Sequence, residues 1–403
     1  MKKATRRLLI LAMSVAMALS AFAFTACKKD DYDIVIQLKW LPDAQFMGYF
    51  TAQSKGYYDE VGLKVKIVPG GGDVSETQAV INGSVDIGVT WVSNLIAANA
   101  GGANLVLVSQ IFQRSGLYLV SRKGENGLPA EGITAENYQT ALTDTVKVGN
   151  WGYGNEYEVL ALLKKAASRT DMTYIGQDFT MHCFEVGTSD AAYCDLASGM
   201  SYNEYLLTIK DYEGTVNHNL GVPGKYNTDN IAVLDMNDVG VAMLEDCLFV
   251  SQTWLDKSGN EEKLTKFLQA SLKGWTYAAN HPSEAVGHIT EGGDTNLPEH
   301  QTSMTPEVAK LVKYTPAVSS AAIKAGTATA IDDKLIGVVD TRAGGAVEQT
   351  LQLAKDNFAL TGTDASRLAA MKVSDLVKTK YWEDAVKALY GSVPSVSELP
   401  ALA

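Results

Sequence analysis

Two tryptophans stand where apolar runs end. Trp40 closes "YDIVIQLKW" and Trp91 closes "VDIGVTW". If both runs are parallel strands of one sheet, the two indoles reach the same rim, where a ring with apolar faces and one N–H suits stacking on a flat heteroaromatic molecule. The alternative is that both rings seal the sheet top against helices. In open α/β sheets small molecules sit beyond the carboxyl ends of the strands, where loop N–H groups and helix N-termini converge. "KWLPDAQF", "VPGGGD", "VTWVSN", "GNWGYGNEY" and "MSYNEY" all occupy such ends. They supply a candidate ligand-binding set of Trp40, Gln45, Gly71, Trp91, Ser93, Gly152, Tyr153, Asn155, Glu156, Tyr202, Asn203 and Glu204, joined by Gln110 at the end of the fourth strand.

Each member has a stated chemistry. The glycines at 70–72 leave backbone N–H groups open to close approach. Gly149, Gly152 and Gly154 precede a helix whose first N–H groups lack internal partners, and Glu156 in its first turn either reads a ligand or caps its own helix. Asn203 offers donor and acceptor, while Glu204 either accepts from ring N–H or amino groups or lies in solvent.

Catalytic constellations are not legible. The histidines at 182, 218, 281, 288 and 300 are scattered outside these motifs, and no nucleophile elbow is present. Glu245 and Asp246 are sequence neighbours on a strand and point apart, a poor geometry for shared acid and base work. Cys183, Cys194 and Cys247 permit at most one bridge, and their spacing beside His182 fits no zinc pattern. We therefore assign no catalytic residue, metal or cofactor.

The elements that must position the set follow from periodicity. Strands over "YDIVIQLKW", "LKVKIV", "VDIGVTW" and "NLVLVSQIF" alternate with helices over "AQFMGYFTAQSKGYYDEVG", "DVSETQAVINGS" and "SNLIAANAGG", an α/β order with a parallel sheet. Phe46, Tyr49 and Phe50 recur at helical spacing and read as core. After "SGLYLVSRKGENG" a second series begins with "VKVGNWGYG", the helix "NEYEVLALLKKA", extended "MTYIGQ" and "MHCFEVG", and a helix over "DAAYCDLASG". "VAMLEDCLFVSQTWL" leads back as a strand. The expected architecture is two α/β lobes with a ligand cleft between them. Residues 33–122 and 241–403 form lobe 1, and 123–240 form an inserted lobe 2.

The N-terminus fixes the compartment. "MKKATRRLL" followed by a short apolar run reads as a signal peptide over 1–26. "FTAC" resembles a lipobox, which makes Cys27 a lipidation site and 27–32 a tether at the outer face of the cell membrane or in the periplasm. Losing Lys2, Lys3, Arg6 and Arg7 takes the formal charge from −12 to −16, which disfavours nucleic acid as a partner.

"QLKWLPDAQFMGYFTAQSKGYYDEVGL", "NGSVDIGVTW", "GNWGYGNEYEVLALL", "MSYNEY" and "FLQASLKGWTYAANHPSEAV" together resemble the periplasmic substrate-binding proteins related to thiamine-pyrimidine synthase, from about residue 33 to 290. Within that group the chain is most similar to the binding lipoproteins of ABC importers for riboflavin or thiamine pyrimidine precursors. The resemblance implies a type II periplasmic binding protein fold, a planar heterocyclic ligand, and permease and ATPase partners. It also raises the fungal synthases, which use a lysine that holds pyridoxal phosphate, a histidine and a cysteine-rich motif. Thr90, Asn94 and "VGVAMLEDC" stand at those positions, so the resemblance does not carry the enzymatic activity across.

Overall fold

The computed structural model describes residues 31–210, 226–292, 298–358 and 364–402. The proposed signal peptide, Cys27 and residues 28–30 of the tether lie outside the described residues. Ten strands follow in chain order: β1 Ile34–Gln37, β2 Val65–Val68, β3 Ile87–Thr90, β4 Leu105–Gln110, β5 Leu117–Arg122, β6 Gly149–Asn150, β7 Ile175–Gly176, β8 Leu196–Met200, β9 Ile231–Asp235 and β10 Cys247–Ser251.

The first sheet has the order β2-β1-β3-β10-β4. β1 runs parallel to β2 and β3, and β10 lies antiparallel between β3 and β4. The purely parallel sheet expected from the alternation of elements is therefore interrupted, because the returning chain enters from the opposite direction. Ile34, Val35, Ile36 and Gln37 are all buried. The alternation read in β1 does not mark a solvated face, since helices cover both sides of the sheet.

The second sheet centres on β5, antiparallel to both β8 and β9. A bridge from Val148 to Leu196 carries the β6-β7 pair onto the edge of β8. The order β7-β6-β8-β5-β9 repeats that of the first sheet, with the crossing strand again second from the end. β5 belongs here, so a boundary at residue 122 places it in the wrong lobe. The chain crosses earlier, over 111–116, because β5 finds its hydrogen-bonding edges only in β8 and β9. The second crossing runs over 236–246.

Two local assignments also change. "MHCFEVG" contains a helical turn, His182–Glu185, and "DAAYCDLASG" runs into β8. Cys183 and Cys194 form a disulfide between these two segments, with Cα atoms 5.3 Å apart, and Cys247 is a buried free thiol in β10. The covalent link holds the turn where periodicity alone suggested extended chain.

The C-terminal helices build onto the first sheet. Helix Asn260–Asn280 lies against helix Met47–Ser54 and sets Trp275 edge-on to Tyr49, with ring centroids 5.3 Å apart. Phe46, Tyr49 and Phe50 are buried, as their spacing indicated. Glycines permit this approach: a Cβ at Gly274 would stand 2.3 Å from the Gly48 carbonyl and 2.8 Å from the Ala52 nitrogen. Both obstacles are backbone atoms that cannot rotate away. In an unobstructed helix Gly to Ala stabilises by about 1 kcal/mol. Here Gly274→Ala is expected instead to destabilise by about 1–3 kcal/mol, and a thermal melt that moves upward would refute the close-packing account.

Candidate functional site

A cavity of about 480 Å³ lies between the strand ends of the two sheets. Of the sequence-derived set, Trp40, Gln45, Gly71, Trp91, Tyr153, Glu156, Tyr202, Asn203 and Glu204 line it. Ser93, Gln110, Gly152 and Asn155 are not brought into the lining. The lining also includes Lys39, Asp73, Glu76, Asn94, Trp151 and Phe179, which the sequence reading did not select.

β1 ends in Gln37 and delivers Lys39 and Trp40 to the cavity. The chain can turn there because Gly70, at the exit of β2, fits against it. Gly70 donates its N–H to the Trp40 carbonyl at 2.8 Å, and Gly71 donates to Lys39 at 3.3 Å. A Cβ at Gly70 would stand 2.3 Å from the Leu38 carbonyl oxygen. The glycine run therefore serves close packing, and two of the N–H groups expected to face a ligand are occupied. Gly72 admits Phe179, whose ring lies 4.7 Å from Trp40 and 5.1 Å from Tyr153. These three rings, from both lobes, form an aromatic lip.

Deeper in, the Lys39 ammonium sits 4.4 Å over the Trp91 ring, 3.5 Å from Glu76 Oε1 and 3.2 Å from the Tyr153 carbonyl. Glu76 also accepts a short hydrogen bond from the Thr90 hydroxyl. Lys39 and Glu76 are each less than a tenth exposed, so each is the other's necessary partner. Lys39 was hidden in the sequence by its type, since lysine at a strand exit ordinarily reads as solvated. Glu76 was hidden by its place in the first turn of a helix, where Ser75 supplies the cap.

The Gly152–Gly154 turn meets three donors from the other lobe. Ser93 Oγ donates to the Gly154 carbonyl at 2.8 Å, while Asn94 Nδ2 and Lys39 Nζ both donate to the Tyr153 carbonyl. Tyr153 has φ of 62° and Gly154 φ of 113°, a left-handed path that turns both carbonyls toward lobe 1. Glu156 settles as a self-cap through Gly154 N–H at 2.7 Å while still lining the cavity, and burial raises its carboxyl. Asn155 is buried, with its side-chain oxygen accepting from Asn150. Ser93 thus belongs to the junction between lobes, whereas Gly152 donates its N–H to Asn150 Oδ1 within its own lobe.

Gln110 lies beneath the two crossing segments. Its Nε2 donates to the carbonyls of Phe112 and Glu245, one on each crossing segment, at 2.8 and 2.9 Å. The strand-end rule placed it at the rim, but the β10 insertion turns it under the crossings.

Glu204 is buried, accepting from the Met200 N–H at 2.9 Å and from Asn203 Nδ2 at 3.0 Å, and burial raises its carboxyl to about 7. The solvated alternative for Glu204 is thereby excluded. Asp246, also buried, is raised to about 7 by the same cause although Gln45 Nε2 bonds both its oxygens at 3.0 Å. The Trp91 indole N–H faces this carboxyl without the geometry of a full hydrogen bond. Among the described residues no group of three or more His, Cys, Asp or Glu side chains is arranged to hold a metal.

A family model described as NMT1/THI5 like matches residues 43–129 and 146–285. The chain belongs to this family. It is 22% identical over 298 residues to a formylaminopyrimidine-binding protein of Halalkalibacterium halodurans, covering 72% of this chain and 80% of that one. It is 23% identical to a 4-amino-5-hydroxymethyl-2-methylpyrimidine phosphate synthase of Saccharomyces cerevisiae over 62% of this chain and 68% of the relative. Among solved structures, the ligand binding component of an ABC-type import system from Staphylococcus aureus superposes with a TM-score of 0.54 at 13% identity, over 88% of this chain and 99% of the other. The fold of this NMT1/THI5-like chain is that of periplasmic binding proteins.

Two outcomes test the geometry. A Cβ at Gly154 would stand 2.3 Å from Asn94 Oδ1 in a backbone conformation that favours glycine, so Gly154→Ala is expected to part the lobes. Small-angle scattering should then report a larger radius of gyration, and an unchanged radius would mean that the junction does not hold the lobes together. The buried Asp246 and Glu204 carboxyls bind protons more tightly folded than unfolded, where carboxyl pKa values are about 4. Their contribution is thus fully present below about pH 4 and is lost as pH rises through about 7. Tm should decline from about pH 5 to about pH 8.5, and the decline should shrink in Asp246→Asn.

Proposed function

We propose that the chain is the solute-binding component of an ABC importer, which captures a planar heterocycle in the cleft, closes over it and delivers it to a membrane permease served by a separate ATPase. The observation that carries this reading is the placement of Trp40 and Trp91 on one cavity whose wall is completed by the other lobe. A flat ring of the pyrimidine or flavin class would lie against the indoles, and Asn203 and Glu204 would meet its polar edge. The relatives that bind a formylaminopyrimidine or belong to import systems support this class. Capture by lobe closure follows because contacts to both lobes favour the closed form over the open one.

The family's enzymes give a second reading, synthesis of a thiamine pyrimidine. Thr90 offers no amine at the position of the synthase lysine. Lys39 does line the cavity, but its ammonium is held by Glu76 and the Tyr153 carbonyl, whereas a Schiff base requires a free neutral amine. The binding reading is therefore preferred. Its cellular setting would be the outer face of the membrane or the periplasm, with Cys27 as the lipid anchor.

Titration of the leaderless protein with riboflavin, 4-amino-5-hydroxymethyl-2-methylpyrimidine and pyridoxal phosphate, followed by tryptophan fluorescence and visible absorption, distinguishes the readings. The expected result is saturable binding of a flavin or pyrimidine without a pyridoxal absorption band. Replacing Trp40 or Trp91 by alanine should then remove about 0.5–1.5 kcal/mol per stack, roughly a 2- to 10-fold loss of affinity. Unchanged affinity in both variants would refute the stacking assignment.

A further inference from the structure

We infer that the cleft rejects anions: Glu76 neutralises Lys39, Asp73, Glu156 and Glu204 add further acid groups, and the site therefore admits neutral or protonated heterocycles while excluding their phosphate esters. This rests on the cleft being the ligand site proposed above and adds the charge class of what it accepts.

A phosphate or sulfonate is held by unspent cationic groups or by converging backbone N–H donors. Among the described residues lining the cavity, Lys39 is the single cation and no arginine or histidine is present. Its ammonium is committed to Glu76, to the Tyr153 carbonyl and to the face of Trp91. Three glycine N–H donors of the lining loops are occupied as well: Gly70 and Gly71 bond to the chain after β1, and Gly154 bonds to Glu156.

What remains available to a guest favours the opposite charge. Glu204 stands in the wall with its carboxylate oxygens satisfied by an N–H and an amide, so they can accept again from a ring N–H or amino group. The Trp91 indole N–H faces the buried Asp246 carboxyl rather than the open cavity, so the wall presents the ring and not a donor to an anion. Burial raises Glu204 to about 7, so the site becomes more negative as pH rises through neutrality.

The test has a ligand-independent arm. Of the six tryptophans, Trp40, Trp91 and Trp151 line the cleft, whereas Trp254, Trp275 and Trp382 are buried elsewhere. Collisional quenching thus reports chiefly on the cleft. Caesium should quench more efficiently than iodide, and Glu76→Gln or Glu204→Gln should raise iodide quenching relative to caesium. Glu262→Gln, an equal charge change on an exposed helix face, should not. Equal quenching by the two ions in the unmodified protein, or an equal response to Glu262→Gln, overturns the proposal.

The second arm compares 4-amino-5-hydroxymethyl-2-methylpyrimidine with its phosphate ester. The ester should bind on the order of 100-fold more weakly, and Glu76→Gln should narrow the gap by freeing Lys39. Equal affinity for the two overturns the proposal. Ion asymmetry without binding of either pyrimidine or of riboflavin would leave charge rejection standing and refute the heterocycle reading instead.

Discussion

A buried ammonium cannot remain charged without partners, and the organisation of the cleft follows from that constraint at Lys39. Its side chain leaves the end of β1 and is met by a carboxylate from the helix after β2, an indole face from the end of β3 and a carbonyl from the opposite lobe. Three strand ends and both lobes are thus referred to one point. Gly70 must be small for the chain after β1 to take this path, and Tyr153 must adopt positive φ for its carbonyl to face the cation. The same arrangement spends the positive charge that a cleft for anions would need.

The crossings impose a second constraint. Each sheet receives one strand from the chain travelling to or from the other lobe, and that strand is antiparallel to its neighbours. Gln110, Ser115, Asn237 and the backbone of Glu245 and Asp246 stitch the two crossings together. Glu158 reaches this region from the second lobe by accepting the Met243 N–H at 2.6 Å. Burial raises both Glu158 and Glu245, and the nearness of Glu158 raises Glu245 further. Each acid has a donor there, the Met243 N–H for Glu158 and the Ser115 hydroxyl for Glu245, so the crossing segments are both buried and hydrogen-bonded.

The lip and the floor of the cleft have different characters. At the lip Trp40, Tyr153 and Phe179 meet through tilted rings, contacts worth on the order of 0.5–1.5 kcal/mol each. On the floor Glu76 joins Lys39, 3.5 Å away, to Thr90, whose hydroxyl donates to it. Around the cleft the lobes meet through the Tyr153 and Gly154 carbonyls, and behind it through Tyr157, whose ring stacks 3.7 Å from Phe358.

The sequence by itself determined the α/β class, the return strand at β10 and the arrival of both indoles at one cavity, because each depends on local periodicity and on where an apolar run ends; that Trp40 stands at the lip and Trp91 deeper was decided by the fold. It also determined that Phe46, Tyr49 and Phe50 face the core, since helical spacing alone selects that face. Only the tertiary structure decided that Gln110 lies under the crossings, that Ser93 belongs to the lobe junction, and that Lys39 and Glu76 enter the cleft. Those outcomes depend on partners 37 to 135 positions away in the chain. Residue type reports the ordinary preference of lysine or glutamate for water, and only a partner supplied by the fold can overcome the cost of burial.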